Sequence, residues 1–311
     1  IYGGFRSVVY TDVVQAIVMI VALVVGPIAG FIYIMKAPDV FARTLPEALT
    51  LAGPAKCSIT GAMSGFAAGA GLMGGLSWFF GYLGGQPQLS TRFMAIRDPR
   101  SARLGRNIGI AWTLLAYTGA LLIGWLGLAI FGPEGLSDCE FVMPRVMFEV
   151  FPDFIAAILV TGAIAAMIST AESLLILSAT ELSENLAGAI GEKKARGLSA
   201  LSRSRVITAA LAAVALFVAY VFPSDLIYTL VGFVWAGIGS TFSIVILLTL
   251  FWKRYHGRAV VVTIVAGMIF TIVWHLTGME KLLTARLTTF VFAALVAVVS
   301  TLAIPSGRSG E

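Results

Sequence analysis

Eight long stretches of this chain contain no charged residue, and they limit the possible folds more than any other feature. They are residues 13–35, 57–91, 107–133, 154–171, 206–224, 226–252, 259–279 and 287–307, and the fourth continues to 180 past a single acid, Glu172. Crossing ~30 Å of hydrocarbon takes ~20 apolar residues in a helix. The stretches are too long for barrel strands and lack their alternation of apolar and polar residues. They therefore predict an all-α polytopic membrane protein with eight transmembrane helices.

The composition excludes several classes of protein. Of the 311 residues, 59% are hydrophobic and 12% are charged, whereas soluble domains are about 25% charged. A soluble fold of this size needs a more polar exterior. A soluble enzyme, a disordered chain and a disulfide-stapled secreted domain are thereby excluded. The sequence has no HExxH motif, no phosphate-binding loop and no zinc-like cysteine spacing, so we expect no enzymatic activity.

The distribution of Lys and Arg predicts the orientation in the membrane. One set of loops, together with both termini, carries 15 of these residues, and the other set carries 6. Basic loops stay on the cytoplasmic side. Both ends of the chain are therefore predicted to be cytoplasmic, with the helices in the cell inner (plasma) membrane. The net charge of +5 then follows from topology, and we expect the partners to be the lipid bilayer and no nucleic acid.

No linker or shift in composition divides the chain, so residues 1–311 are predicted to form one transmembrane domain. The sequence begins with Ile1 and Tyr2, without Met or a signal-peptide pattern, and we expect this domain to be truncated at its N-terminus. The two cysteines, Cys57 and Cys139, both fall in predicted outside loops. The sequence leaves open whether they form a disulfide or stay free.

The second stretch, 57–91, is too long for one straight span and is predicted to be a broken helix. Eight glycines lie between Gly65 and Gly85, each costing a helix roughly 1 kcal/mol relative to Ala. Interrupted helices at membrane depth are tolerated where the backbone is buried or lines a cavity. The alternative for the first half is that glycine allows close helix packing. The second half favours binding, since it contains Trp78, Tyr82, Gln86 and Pro87.

The fourth stretch carries a stripe of small and hydroxyl residues. Ala166, Ser169, Thr170 and Ser173 recur at helical spacing, so they share one face. Hydroxyl and carbonyl oxygens are hard ligands that suit a small cation. The alternative is that these hydroxyls bond back to the preceding turn or assist packing.

Two carboxylates lie in or at the edge of the predicted spans. Glu172 is costly inside a membrane and indicates an ion or proton path. It can alternatively extend to the inner boundary of the membrane or stay protonated. Asp12 opens the first span, where an acid can simply cap the first turn of the helix.

Four segments together resemble one known family. They are GGFRSVVYTDVVQ at 3–15, GGQPQLSTRFM at 84–94, AAMISTAES at 165–173 and VWAGIG at 234–239. These segments, in this order and with these spans, resemble the sodium/solute symporter family, and among its members the bacterial sodium/proline symporters. The Gly84-Gly85 pair is a departure, because it lengthens the spacing between Tyr82 and Gln86 by one residue.

The resemblance implies a fold and a set of site residues. The fold would be a partial LeuT-like inverted repeat, with core helices five to ten and two extra helices. The principal sodium site would include Ala166, Ser169 and Thr170. A second cation, or a proton, would be held by Asp12, Glu172 and Ser173. The substrate-binding residues would be Trp78, Tyr82, Gln86 and Pro87.

The function that the resemblance implies is sodium-coupled symport by alternating access. The solute would be small and organic, such as proline or a related amino or carboxylic acid, and Na+ would be the coupling ion. No obligate protein partner is expected. The alternative is the same membrane fold used as the input domain of a sensor kinase, a class in which kinase motifs would follow the last span.

Overall fold

The computed structural model describes residues 4–186, 200–221 and 227–305, and every regular element in these ranges is a helix. The α-helices are α1 (Gly4–Lys36), α2 (Leu45–Leu51), α3 (Pro54–Cys57), α4 (Gly65–Leu76), α5 (Trp78–Tyr82), α6 (Pro87–Met94), α7 (Pro99–Phe131), α8 (Val142–Val150), α9 (Asp153–Thr180), α10 (Ala200–Val221), α11 (Ile227–Val234), α12 (Thr241–Phe251), α13 (Gly257–Leu276) and α14 (Ala285–Ala303). Short 3-10 turns occupy Cys139–Phe141 and Met279–Lys281, and π-helical turns occupy Glu181–Leu186 and Trp235–Ser240.

The prediction of eight transmembrane helices is confirmed within the described ranges. Eight helical segments there are long and apolar enough to span a membrane, namely Val8–Lys36, Gly65–Met94, Pro99–Phe131, Asp153–Ser183, Ser202–Val221, Ile227–Phe251, Gly257–Leu276 and Ala285–Ala303. The chain is therefore a multi-pass membrane protein. The two chain ends, whose side of the membrane the sequence predicts, lie outside the described residues.

The helices form two compact units. The first unit comprises residues 1–57 and 96–223, and α1 lies at its centre, in contact with both α7 and α9. Small residues permit this close packing. A Cβ at Gly119 of α7 would collide with the carbonyl oxygen of Leu23, and a Cβ at Gly162 of α9 would lie 3.2 Å from the Val18 carbonyl oxygen. The backbones of both neighbours therefore approach α1 directly.

The second unit comprises residues 58–95 and 224–311. It contains the segment that the sequence predicts to be a broken helix, and the break is confirmed, because α4, α5 and α6 are separate pieces. The gap before α6 is held by Gly85, whose backbone N–H donates to Ser243 Oγ at 3.1 Å. A Cβ at Gly85 would collide with the carbonyl oxygen of Gly239. The broken segment therefore packs backbone to backbone against the Trp235–Ser240 turn.

Helix α7 is longer than its uncharged stretch and begins at Pro99, among basic residues. Asp98 caps it, since its Oδ1 accepts from the backbone N–H groups of Arg100 and Ser101, both at 2.9 Å. These hydrogen bonds, chiefly with Ser101, lower the pKa of the Asp98 carboxyl. Cap and proline together extend the helix beyond the limit that charge alone predicted. In the loop after α7, Cys139 is an exposed free thiol.

Candidate ion and solute sites

Within the first unit, α1 and α9 exchange hydrogen bonds through two carboxylates. Ser169 Oγ of α9 donates to Asp12 Oδ1 of α1 at 2.5 Å. In the opposite direction, the Thr11 hydroxyl of α1 is shared between two acceptors, the Val8 carbonyl at 2.9 Å and Glu172 Oε2 of α9 at 3.3 Å. Each helix thus supplies one carboxylate and one hydroxyl, and we call these four residues the carboxylate pair site.

The interpretation of Asp12 as a helix cap is wrong. Helix α1 begins at Gly4, so Asp12 lies two turns inside the helix instead of in its first turn. A carboxylate at this depth does not reach the unpaired N–H groups at the helix start. Its bond with Ser169 leaves an interhelical role as the one that the geometry supports.

The other residues of the predicted α9 stripe bond to their own helix. Thr170 Oγ1 donates to the Ala166 carbonyl at 3.2 Å, and Ser173 Oγ donates to the Ser169 carbonyl at 2.8 Å. This is the back-bonding that the sequence left open as the alternative. Both hydroxyls keep lone pairs that can still accept a cation.

The oxygen atoms near the carboxylate pair site fit a small hard cation. Gln15 follows Asp12 by three residues on α1, and its Oε1 is buried without a hydrogen-bond partner among the described residues. An orphaned buried amide oxygen is costly unless something binds it. Carboxylate, hydroxyl and amide oxygens are the ligands that Na+ and other hard cations prefer. The residues present therefore fit a cation between α1 and α9.

In the second unit, two of the predicted substrate residues belong to an aromatic cluster, which we define as Trp78, Tyr82, Tyr228 and Trp235. Trp78 Nε1 donates to the Tyr228 hydroxyl at 3.0 Å. The ring centroid of Trp235 lies 6.1 Å from that of Trp78 and 5.4 Å from that of Tyr82. Broken helix and π-helical turn thus meet through aromatic rings that offer apolar and cation–π surface.

The other two predicted substrate residues, Gln86 and Pro87, lie at the break before α6. Gln86 is 5% exposed, and its Nε2 donates across the gap to the Gly81 carbonyl at 3.3 Å. Pro87 is the first residue of α6, where a missing N–H costs nothing. Gln86 therefore bridges the break, and Pro87 begins the helix that follows it.

Sequence reasoning missed a buried arginine next to this cluster. Arg286 is 7% exposed, and its Cζ lies 4.3 Å from the ring centroid of Trp78. In the distribution of Lys and Arg along the sequence, Arg286 is only one of the six basic residues of the outside loops. Its position directly before the uncharged stretch 287–307 was the available signal, because the helix formed by most of this stretch begins at Ala285. Tyr228 and Trp235 were missed too, although Trp235 lies in the VWAGIG segment.

Comparison with known proteins finds a matching family and several relatives by sequence. The profile described as "Sodium:solute symporter family" matches residues 1–267. The high-affinity proline transporter PutP of Bacillus subtilis is 32% identical over 286 residues, which are 91% of this chain and 58% of the relative. The osmoregulated proline transporter OpuE of the same organism is 30% identical over 90% of this chain and 55% of the relative.

A third relative is the sodium/proline symporter 2 of Staphylococcus saprophyticus, which is 29% identical over 88% of this chain and 52% of the relative. The chain thus spans little more than half the length of these curated relatives. The family profile matches most of the present chain and includes both candidate sites. Membership of the family therefore does not depend on how much of each relative is covered. The chain belongs to the sodium:solute symporter family.

Proposed function

We propose that the full-length protein carrying this chain is a secondary active symporter that couples sodium entry to the uptake of a small organic solute. Family membership carries this proposal. The carboxylate pair site supports it, since two acids from different helices within a membrane are costly without a coupled cation or proton. The family match gives no support to the alternative of a sensor-kinase input domain.

The coupling ion would act at the carboxylate pair site and at the neighbouring α9 stripe. Ala166, Ser169 and Thr170 would contribute to the principal sodium site, and Asp12, Glu172 and Ser173 would share a second cation or a proton. Two carboxylates on adjacent helices repel each other unless a positive charge lies between them. An ion bound there would draw α1 and α9 together, and its loss would loosen them. Each charge that enters releases ~2.3 kcal/mol per 100 mV.

The solute would be proline or a related amino or carboxylic acid. The relatives named above are a high-affinity proline transporter, an osmoregulated proline transporter and a sodium/proline symporter. Trp78 and Tyr82 of the aromatic cluster would contact the apolar part of such a solute. Gln86 and Pro87 would act by holding the break open beside it.

The proposed architecture is a single transmembrane domain containing part of a LeuT-like repeat. In this assignment α1 is the fifth core helix, and the broken helix α4–α6 is the sixth. The next core helices are α7, α9 and α10, and α11–α12 form the tenth. Helices α13 and α14 are the two extra helices. Both chain ends would be cytoplasmic, in line with the 15 to 6 distribution of Lys and Arg between the two sets of loops.

The test is uptake of labelled amino and organic acids by cells expressing the full-length protein, with sodium replaced by choline as the control. We expect at least one acid of the panel to be taken up faster in sodium. If no acid enters faster with sodium than with choline, the proposal of a sodium-coupled symporter is wrong.

A further inference from the structure

Arg286 is a buried cation without an acidic partner in the part of the chain that the structure describes. It lies in the first turn of α14 and is 7% exposed. Its Nε donates to Ser77 Oγ at 3.2 Å, and its Nη2 donates to the Gly74 carbonyl at 3.4 Å. Its Cζ also lies 4.3 Å from the ring centroid of Trp78. A buried charge held only by neutral groups is costly, so a bound anion would stabilise it.

The guanidinium has donors left for such an anion. Arginine has five N–H groups, and the two hydrogen bonds to Ser77 and Gly74 use one on Nε and one on Nη2. Both N–H groups of Nη1 and one of Nη2 therefore remain. Nη1 and Nη2 together form the fork that binds both oxygens of a carboxylate.

The position of this fork depends on a glycine. A Cβ placed at Gly232 of α11 would lie 2.5 Å from Nη1 of Arg286. Any larger residue at 232 would displace the guanidinium. Glycine therefore leaves the space in which Nη1 lies, beside the Tyr228 end of the aromatic cluster.

Arg286 and Gly232 both line a cavity of about 700 Å³ within the second unit. Its wall includes the apolar side chains of Phe66, Phe233 and Leu283. A volume of this size is typical of small-molecule sites. The cavity thus joins one buried cationic fork to an apolar wall, which suits a small organic acid better than an inorganic ion.

Two exposed charged residues also line the cavity, and they oppose each other in sign. Glu280 Oε2 accepts from the backbone N–H of Ala285 at 2.7 Å, so this carboxylate is engaged by the start of α14. Lys281 follows it in the sequence and also faces the cavity. Glu280 forms no ion pair with Arg286 among the described residues. Arg286 is therefore the buried charge of the site.

We propose that this cavity is a binding subsite for the carboxylate group of the transported solute, with Nη1 and Nη2 of Arg286 as the donors. This inference rests on the proposed function, because the ligand is the solute itself. Since Arg286 also stacks on Trp78, a solute bound to it lies next to the aromatic cluster. Arg286 would then select acids over neutral analogues at the entrance to that cluster.

The test compares an acid with its neutral amide. Unlabelled L-proline and L-prolinamide compete against labelled L-proline for uptake by the full-length protein; if another acid of the panel enters faster, that acid and its amide are used. We expect Arg286→Gln to reduce the preference for the acid over the amide at least tenfold, with Arg286→Lys intermediate. A purely structural arginine would lower uptake and leave that preference unchanged, which would overturn the proposal.

Two glycine variants test the fork without removing the charge. Gly232→Ala should shift the guanidinium and reduce the acid preference, whereas Gly69→Ala, which adds a methyl in open space outside the cavity lining, should keep it. For a variant that does not transport, acid and amide binding is measured by thermal stabilisation of the purified full-length protein. Equal acid preference in Gly232→Ala and Gly69→Ala would contradict the subsite. Absence of sodium-dependent uptake in the unaltered protein would instead refute the proposed function.

Discussion

Asp12 and Glu172 each accept a hydrogen bond from a hydroxyl of the other helix, and this reciprocal pairing is the main feature of the candidate ion site. A hydroxyl that donates to a carboxylate stabilises its charged form. Two carboxylates that face each other from adjacent helices also repel each other when both are charged, most strongly in a medium of low dielectric constant. A cation or proton bound between the two carboxylates would therefore reduce their repulsion.

Replacing Glu172 with Gln tests whether the negative charge of this side chain contributes to sodium binding. The amide keeps the size of the side chain and can still accept from Thr11, but it removes the charge. We expect the sodium concentration for half-maximal uptake to rise about tenfold or more, as losing about 1.5–3 kcal/mol of charged contact implies. Sodium dependence of uptake by the full-length protein, with the sodium-to-solute ratio, is the measurement.

Glu149→Gln is the matched control for this experiment. Glu149 lies in the same unit, and its Oε1 accepts from the Tyr33 hydroxyl at 2.7 Å. The substitution makes the same chemical change outside the carboxylate pair site, so sodium affinity should stay within a factor of about two, within the spread of surface substitutions. An unchanged sodium affinity and coupling ratio in Glu172→Gln would refute the role of Glu172 in ion binding.

At the scale of helices, the broken segment shows what sequence reasoning can and cannot supply. The glycine cluster and Pro87 predicted a break, and α4, α5 and α6 are indeed separate. Where the pieces pack depends on contacts between residues far apart in sequence, such as Gly85 with Ser243. No local pattern encodes such a contact. The same reason explains why Arg286, 208 residues after Trp78, was placed in a loop by its charge alone.

Gly85→Ala tests the packing of this break. The added Cβ would collide with the Gly239 carbonyl, and neither backbone can move away as a flexible side chain could. We expect the free energy of unfolding to fall by about 1–3 kcal/mol, as in overpacked cores, measured as a lower Tm of the purified full-length protein. Gly69→Ala is the control, because its Cβ meets no atom within 4 Å. Equal Tm values for the two variants would contradict the close packing at Gly85.

The start of α7 gives a second contrast at this scale. The sequence predicted the span from the absence of charge, beginning at 107, whereas the helix begins at Pro99. Charge marks where hydrocarbon ends, but caps and propensity decide where a helix ends. Asp98 and Pro99 were visible in the sequence, and reading them as a cap and first residue would have found this boundary.

For the molecule as a whole, composition alone identified the membrane class, and the four quoted segments identified the family. Composition and motifs do not predict the substrate in the same way, because solute specificity depends on a few side chains that converge from distant helices. The aromatic cluster and Arg286, which we propose as such groups, lie on four separate elements of the second unit, namely α5, α11, the π-helical turn and α14. Sequence periodicity carries no information on their proximity.

Reconstitution of the full-length protein shows whether a sodium gradient alone drives solute uptake. Full-length protein in liposomes would receive an inward sodium gradient with labelled L-proline outside. We predict transient accumulation of proline inside above the outside concentration, abolished by a sodium ionophore and unaffected by a protonophore. Proline that merely equilibrates, at the same rate with and without the sodium gradient, would contradict the claim.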